Sequence, residues 1–315
     1  MRSLFTARLL LAALIVFSST SPQIAAQIDT IWTRYYSGYY TVDFQIGKSG
    51  NLYVTGSYGT SKDMLTSRYD ADGTHAWTRL YDHKGDRYED LPHGIFLDSH
   101  ENAYVVGGVW EWDATRVDGI AIKYSPGGAT EWIRTTDPGD SAMQFFGDAV
   151  CDSSGYVTMT QGAGDVGVWK DMFNAKLDPN GNIVWSDVDS TINGVFYNMG
   201  QIAADGAQNV FILGKVHTTG SWTLIKYSPG GSRAWQKFNL GSSTGGKLCT
   251  DPSGSVYALL YSPGVVHKIS ASGNLAWTKN PDATERYAMA VDGEQNLVVC
   301  GGTVGSSSGP YFTAK

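Results

Sequence analysis

The chain has 315 residues, of which 30 are Asp or Glu and 23 are Lys or Arg, so its formal net charge at neutral pH is −7. Nucleic acids and anionic membrane surfaces attract clustered Lys and Arg, which makes an acidic chain a poor partner for either. Charged residues make up only 17% of the chain, whereas aromatic residues reach 12% and 38 residues are glycine. This profile is typical of many short, well-packed strands joined by tight turns.

The first 26 residues have the layout of a secretory signal peptide. Arg2 and Arg8 form a basic start, an apolar run follows at 9–17, and small residues lead up to Ala26. The apolar run is too short to cross a bilayer, and no later segment is apolar enough to do so. We therefore expect residues 1–26 to be removed on export, which lowers the net charge to −9, and we expect no membrane insertion. The final location, in the periplasm, on the cell surface or in the medium, stays open.

Residues 27–315 contain an internal repeat in which a Lys or Arg is followed, after a turn, by a lone Trp. The pairs are Arg68 with Trp77, Lys123 with Trp132, Lys176 with Trp185, Lys226 with Trp235, and Lys268 with Trp277. Successive Trp residues of this series are 55, 53, 50 and 42 positions apart. These distances are in the range of one four-stranded blade of a β-propeller.

Two turn motifs recur in each copy. One begins with Asp, as at 98–102 and 251–254, and joins the first strand of the repeat to the second. The other begins with Asp or Ser, as at 178–181 and 228–231, and joins the third strand to the fourth. Asp or Ser first, Pro second and Gly fourth favour a type I turn, with Gly or Asn supplying the left-handed residue that returns the strand. The first copy departs from the pattern, since 47–50 begins with Gly instead of Asp.

The segments between the turns are rich in Val, Ile, Tyr and Leu, and several are apolar at consecutive positions, as at 103–106 and 210–213. Consecutive apolar residues predict strands whose two faces are both buried. No segment shows a long helical period, so helix is expected to be close to absent.

The two ends of the mature chain complement each other. Residues 312–315 match the third strand of the other copies and no Trp follows them, whereas 31–34, with Trp32, matches the fourth strand at 76–79. We predict an all-β fold: a single six-bladed β-propeller of four-stranded antiparallel blades over 27–315, its ring closed by the N-terminal strand that completes the last blade. The alternative is a piece of a longer repeat array.

The units 50–56 and 119–125, the second followed by Glu131 and Trp132, resemble the SBBP family of bacterial β-propeller repeats. The resemblance extends over essentially the whole mature chain. It implies blade architecture in an exported protein and says little about function. The family is described as seven-bladed, and this chain differs from it with six repeats.

Candidate binding residues lie on the connections between the second and third strands and between successive blades. These connections are longer and less regular than the turns, and variable loops on a rigid scaffold carry binding residues. Aromatic side chains there suit the faces of sugars or a protein partner, and the alternative is that they fill gaps between blades. The candidates are Tyr58, Trp110, Trp112, Trp169, Trp222 and Tyr261.

The segment 81–93 is the most chemically suggestive one. Its residues His83, Asp86, Asp90 and His93 could ligate a cation or act as an acid and base pair. They are crowded in one connection without a fixed spacing, which favours a solvated polar loop. The sequence therefore predicts no metal and no cofactor, with these four residues as the weak candidates.

Three cysteines, Cys151, Cys249 and Cys300, show no close pairing. We expect them to be small apolar core residues, and the alternative is one disulfide with one free thiol.

Two functional hypotheses follow. The first is an exported, non-catalytic and monomeric scaffold that binds a polysaccharide or a surface protein through the face of the variable connections. The second is a secreted lyase or glycosidase with carboxylates and His83 or His93 at the mouth of the central channel. The second hypothesis requires at least two carboxylates within about 10 Å of each other, the separation that glycoside hydrolysis tolerates.

Overall fold

The computed structural model describes residues 39–59, 62–83, 85, 88–111, 117–136, 143–165, 168–189, 201–216, 219–237, 239–243, 245–261, 264–280, 285–302 and 311–314. The predicted signal peptide at 1–26 and the predicted closing strand at 31–34 lie outside these residues. In the described part of the chain all named elements are β-strands, and none of its residues form a helix long and apolar enough to cross a membrane.

The described strands form six antiparallel sheets, each made of strands that are consecutive in the chain. The first sheet contains β1 (Tyr39–Ile46), β2 (Leu52–Tyr58), β3 (Asp63–Tyr69) and β4 (His75–Tyr81). The second contains β5 (Tyr88–Leu97), β6 (Ala103–Glu111), β7 (Val117–Tyr124) and β8 (Thr130–Thr136). The third contains β9 (Met143–Cys151), β10 (Val157–Asp165), β11 (Val168–Leu177) and β12 (Ile183–Asp189).

The remaining three sheets repeat this order. The fourth contains β13 (Gln201–Ala204), β14 (Val210–Lys215), β15 (Trp222–Tyr227) and β16 (Arg233–Lys237). The fifth contains β17 (Gly246–Thr250), β18 (Val256–Leu260), β19 (Val265–Ile269) and β20 (Leu275–Lys279). The described strands of the sixth are β21 (Glu285–Val291), β22 (Leu297–Gly302) and β23 (Tyr311–Ala314). The first strand of each sheet packs against the first strand of the next, from β1 on β5 to β17 on β21.

The core lies between neighbouring sheets. All six residues of β15, all five of β18 and five of the six in β14 are buried, so the prediction of strands covered on both faces is confirmed there. The fourth strands are different, because most residues of β4 and β20 are exposed or half-buried. In the fourth and fifth sheets burial is therefore greatest in the central strands and lower in the first and fourth strands.

The predicted turns form with a constant geometry. In the turn at 98–102, Asp98 Oδ1 accepts hydrogen bonds from the backbone N–H groups of His100 and Asn102 at 2.8 and 3.0 Å. Asp205, Asp251 and Asp292 hold their turns in the same way. One detail of the prediction was wrong: in three of these turns the left-handed residue is Glu101, Gln208 or Gln295, and not the Asn that follows it. The Asn side chain instead bonds the turn aspartate, which leaves the preceding residue to adopt the positive φ.

The contacts of the repeat Trp explain why it recurs. The five basic residues lie directly opposite their Trp on the neighbouring strand, and four of these Trp residues reach into the turn between the third and fourth strands of the next sheet. The indole N–H groups donate to backbone oxygens there: Trp77 to Pro126 at 2.9 Å, Trp132 to Pro179 at 2.9 Å, Trp185 to Pro229 at 3.2 Å, and Trp235 to Ala271 at 3.0 Å.

The basic partner reinforces this contact from the same strand pair. Lys123 Nζ donates to the same Pro179 oxygen at 3.1 Å, and Lys226 Nζ donates to the Ala271 oxygen at 3.0 Å. The turn glycine that follows lies under the indole ring with a positive φ, so that a Cβ at Gly181 would lie 2.9 Å from Trp132. Each such Lys–Trp pair therefore joins its sheet to the next through one turn carbonyl.

In the first turn of the first sheet, which has no Asp at its first position, a carboxylate of the second sheet takes the place of the aspartate. Glu101, from the second sheet, accepts hydrogen bonds from Ser49 N at 2.6 Å, Asn51 Nδ2 at 2.9 Å and Tyr53 O–H at 3.3 Å. Burial acts to raise the pKa of Glu101, but these hydrogen bonds outweigh it and hold the pKa below its ordinary value. A carboxylate from a neighbouring sheet thus replaces the local one.

The three cysteines are unpaired and half-buried. Burial raises the pKa of the Cys249 thiol to about 12 and also raises that of Cys151, so both are held as neutral thiols. Cys151 and Cys249 pack against apolar clusters, as expected for small core residues.

Candidate functional site

The two ends of the sheets differ in the regularity of their connections. Each turn between first and second strands, and each between third and fourth strands, spans five residues; we call the edge that they form the turn face. The connections between second and third strands and between successive sheets range from two to eleven residues, and we call the edge that they form the variable face. Because ligand-binding residues concentrate on variable connections, the variable face is the place to look for a site.

Three of the predicted aromatic residues lie at this face with part of their surface accessible. Tyr58 ends β2 and is 40% exposed, and Trp110 lies next to the end of β6 and is half-buried. Tyr261 follows β18, is half-buried and packs against the apolar cluster of the fifth sheet.

The other three aromatic candidates differ. Trp222 is the first residue of β15 and is fully buried, with its indole N–H donating to the Ser243 backbone oxygen at 3.2 Å. It belongs to the core of the fourth and fifth sheets and offers no surface to a ligand. Trp169 lies in β11, and its side chain is outside the described residues, as is the whole of Trp112.

Two of the accessible aromatic residues, Tyr58 and Trp110, lie beside acidic ones. Tyr58 is the cross-strand partner of Asp63, and Trp110 is the cross-strand partner of Glu89. Directly opposite residues on antiparallel strands have Cβ atoms about 4.5–5.5 Å apart, close enough for their side chains to form one surface. Each of these two aromatic residues therefore shares a strand pair with an acidic residue, one in the first sheet and one in the second.

Three carboxylates gather at this meeting point. Asp63 begins β3, Asp82 follows β4, and Asp90 is the third residue of β5; carboxyl oxygens of all three lie within 4.8 Å of one another. Asp90 is fully buried. Burial is the main cause that raises its pKa, against the hydrogen bond from the His83 backbone, and with the charges of Asp63 and Asp82 the pKa reaches about 7.

Lys62, which precedes Asp63 in the chain, forms its ion pair with a different acid. Lys62 Nζ lies 2.8 Å from Glu89 Oε1 and donates to Glu89 Oε2 at 2.9 Å. Glu89 is itself buried, so this ion pair neutralises one of the four acidic residues. The other three keep their mutual repulsion.

The other weak candidates of the segment 81–93 do not join this group. His83 contributes its backbone N–H to Asp90 Oδ2 at 2.7 Å, while its ring nitrogen Nδ1 bonds the Tyr81 hydroxyl at 2.9 Å. His93 lies in β5 and is half-buried, and burial lowers its pKa, which favours the neutral ring. Asp86 lies outside the described residues. Asp63 was not among the sequence candidates, and no local pattern could have found it, because it is distant in the chain and on another strand.

No protein family model matches the chain, and no curated protein is similar to it. Solved structures are similar to it in fold. They include the Dos1 propeller (9% identity over 84% of this chain and 65% of that one, TM-score 0.55), streptogramin B lyase (12%, 89% and 83%, 0.54) and the arabinobiose complex of Penicillium chrysogenum alpha-L-arabinanase (11%, 87% and 92%, 0.51). At such identities the likeness establishes the fold alone: the chain is a β-propeller. Its resemblance to SBBP repeats stays a prediction.

Proposed function

We propose that the chain is an exported, six-bladed β-propeller that binds a polysaccharide or a surface protein at its variable face, around Tyr58 and Trp110. One observation carries the proposal. Two accessible aromatic candidates on the variable face are cross-strand partners of acidic residues, Tyr58 of Asp63 and Trp110 of Glu89, and Asp63 belongs to the group of three carboxylates. The connections of the opposite face are uniform turns. Aromatic rings beside carboxylates fit the apolar faces and the hydroxyl groups of sugars, and also the anchor residues of a protein partner.

Closure into a ring of six is supported by the first sheet. Asp43 in β1 accepts a hydrogen bond from Ile95 N of the second sheet at 3.0 Å, so that side of β1 faces the second sheet. Its neighbour Phe44, which points to the other side by strand alternation, is 58% exposed, and Tyr40 and Ile46 are 74% and 49% exposed. A sixth blade packed on this side would cover these apolar side chains.

The turn at 70–74 in the first sheet is also of the kind that receives a Trp in the other sheets. Gly73 has a φ of 84°, like the glycines that lie under Trp residues. The repeat assigns Trp32 to this turn. We therefore expect Trp32→Ala to destabilise the protein by about as much as loss of another repeat Trp, roughly 3–5 kcal/mol. A variant as stable as the wild type, by urea unfolding, would contradict ring closure.

Ligand binding is tested by thermal unfolding of the purified chain with a panel of cell-wall and plant polysaccharides, followed by Trp fluorescence. A ligand that binds only the folded state raises Tm. Once a glycan that shifts Tm is found, the double variant Trp110→Ala/Trp112→Ala and the single variant Tyr58→Ala are expected to bind it at least tenfold more weakly. The matched control is Leu275→Ala, which removes an exposed apolar side chain from β20, away from these residues.

Unchanged affinity in all the aromatic variants would reject this site. A single sharp transition that no glycan moves would favour a protein ligand over a polysaccharide. Export is tested separately by the mass of the secreted protein, which should start at Gln27.

A second candidate function, a glycan-cleaving enzyme, is favoured by the same carboxylates. Asp82 and Asp90 satisfy the requirement for two carboxylates within about 10 Å; Asp82 follows the last strand of the first sheet, and Asp90 lies in the first strand of the second. Such an enzyme would release new reducing ends or unsaturated products from the glycan that it binds. Asp82→Asn should then abolish product formation while the Tm shift with glycan remains, whereas a glycan that stays intact on the wild-type chain would exclude this candidate.

A further inference from the structure

The three carboxylates of Asp63, Asp82 and Asp90 come from three separate segments and two different sheets. Asp63 and Asp82 belong to the first sheet and the connection that leaves it, and Asp90 belongs to the first strand of the second sheet. Bringing three acidic groups together in this way costs electrostatic energy unless a positive charge lies among them. The negative charge of these three carboxylates therefore needs a compensating positive charge.

Their spacing fits a single ion. One oxygen from each carboxylate lies within 4.8 Å of the other two. Oxygens bound to one Ca²⁺ at 2.3–2.6 Å lie no more than about 5 Å apart, so three such oxygens can share one ion without a change of backbone.

Asp90 provides an independent indication. It is fully buried, and only its Oδ2 has a partner, the backbone N–H of His83. Its Oδ1 is buried and, among the residues that the structure describes, has no hydrogen-bond donor. A buried carboxylate oxygen without a partner is costly, and metal coordination is one of the few ways to compensate it.

We propose that Asp63, Asp82 and Asp90 bind one hard divalent cation of the size of Ca²⁺, which joins the first and second blades at the variable face. The ligands of this group are carboxylate oxygens only, the donors that Ca²⁺ and Mg²⁺ prefer over the softer transition metals. Ca²⁺ fits better than Mg²⁺, because its coordination tolerates irregular geometry. This proposal differs from the sequence prediction of no metal, and it does not rest on the proposed ligand binding.

The test uses the purified chain stripped with EDTA and dialysed. Titration calorimetry with CaCl₂ should show one site per chain, and Tm should rise on the order of 5 °C when Ca²⁺ is present at 100 times its Kd. Asp90→Asn and Asp63→Asn should weaken binding at least tenfold. Asp82→Asn should do the same, and since Asp82 is exposed this variant should fold even if substitution of the buried Asp90 prevents folding. Glu294→Gln, which removes an exposed acid from a turn of the sixth sheet, is the matched control and should bind as the wild type does.

Location is read from Tb³⁺, a luminescent substitute for Ca²⁺ that is excited through nearby aromatic rings. Its emission should fall in Tyr58→Phe/Trp110→Phe, while displacement by Ca²⁺ stays normal. If titration calorimetry detected no binding heat with CaCl₂, and Ca²⁺ left the Tm of the stripped wild type unchanged, the proposal would be overturned. Full calcium binding by Asp82→Asn would also overturn it. Neither result depends on a glycan, so failure of the cation site and failure of the ligand site are distinguishable.

Discussion

Polar groups of the turn face and of the variable face are paired to different degrees, although the turn aspartate Asp152 also has a buried oxygen, Oδ2, without a described partner. On the turn face, the carbonyl of Pro179 accepts from both Trp132 and Lys123, and turn aspartates such as Asp98 accept several backbone hydrogen bonds each. On the variable face, Asp90 keeps a buried oxygen without a described partner next to two further carboxylates. Polar groups whose hydrogen bonds are all formed stabilise the fold, whereas polar groups that lack a hydrogen-bond partner are available to an ion or a ligand. The proposed function thus places binding at the edge opposite to the paired turns.

The largest expected effect comes from breaking the contact between sheets at the turn face. Trp132→Ala removes a side chain that is 92% buried together with its hydrogen bond to Pro179. We expect a loss of about 3–5 kcal/mol in the free energy of unfolding, measured with urea. Trp277→Ala, in the same register of the fifth sheet but half-exposed, is the comparison and should cost less. Equal costs would show that neither the greater burial of Trp132 nor its turn contact contributes to stability.

Loss of the Glu101 carboxylate, which serves the turn of the first sheet, should have the next largest effect on the free energy of unfolding. Glu101→Ala removes three hydrogen bonds to a charged acceptor, and we expect a cost of about 1.5–3 kcal/mol at pH 7. Gln208→Ala is the matched control, since Gln208 has the same turn position and the same positive φ in the fourth sheet.

The pH dependence of this cost follows from the lowered pKa of Glu101. Its folded-state pKa lies below the ordinary value of 4.5, so the unfolded chain takes up the proton first as the pH falls. The stabilisation is therefore complete above pH 4.5 and is lost as the pH falls through the folded-state pKa. The stability difference between wild type and Glu101→Ala should shrink accordingly, and a constant difference down to pH 3 would contradict the role of the charge.

Two adjacent glycines give a smaller and more local comparison. A Cβ at Gly231 would lie 2.5 Å from Trp185 Cγ, and Gly231 has a φ of 85°, whereas a Cβ at Gly230 would meet nothing within 4 Å. We expect Gly231→Ala to cost about 1–3 kcal/mol and Gly230→Ala to stay within about 0.5 kcal/mol of the wild type. If urea unfolding gave the two variants the same stability, the tight fit of the turn under the ring would be unimportant.

The smallest expected change lies on the variable face. Tyr58→Ala truncates a side chain that is 40% exposed, and we expect less than about 1 kcal/mol in the free energy of unfolding. A cost as large as that of Trp132→Ala would mean that Tyr58 is structural, and would remove the distinction between the two faces.

The sequence by itself determined the elements and their order. Turn chemistry is local, so Asp, Ser, Pro and Gly at fixed offsets located the five-residue turns, and consecutive apolar residues identified strands such as β14 and β18 as buried on both faces. The difference between uniform turns and variable connections could also be predicted, because it depends only on length and composition.

The tertiary structure alone decided which residues of different sheets meet. Nothing near Asp63 in the chain indicates that it joins Asp82 and Asp90, and nothing in the turn at 98–102 indicates that Glu101 serves the first sheet. The same holds for Trp222, which was expected on a loop and lies in the core. Local rules describe the contacts within a few residues of chain, whereas these contacts depend on how the stacked sheets are placed against one another, and that placement is set by the packing of the whole fold.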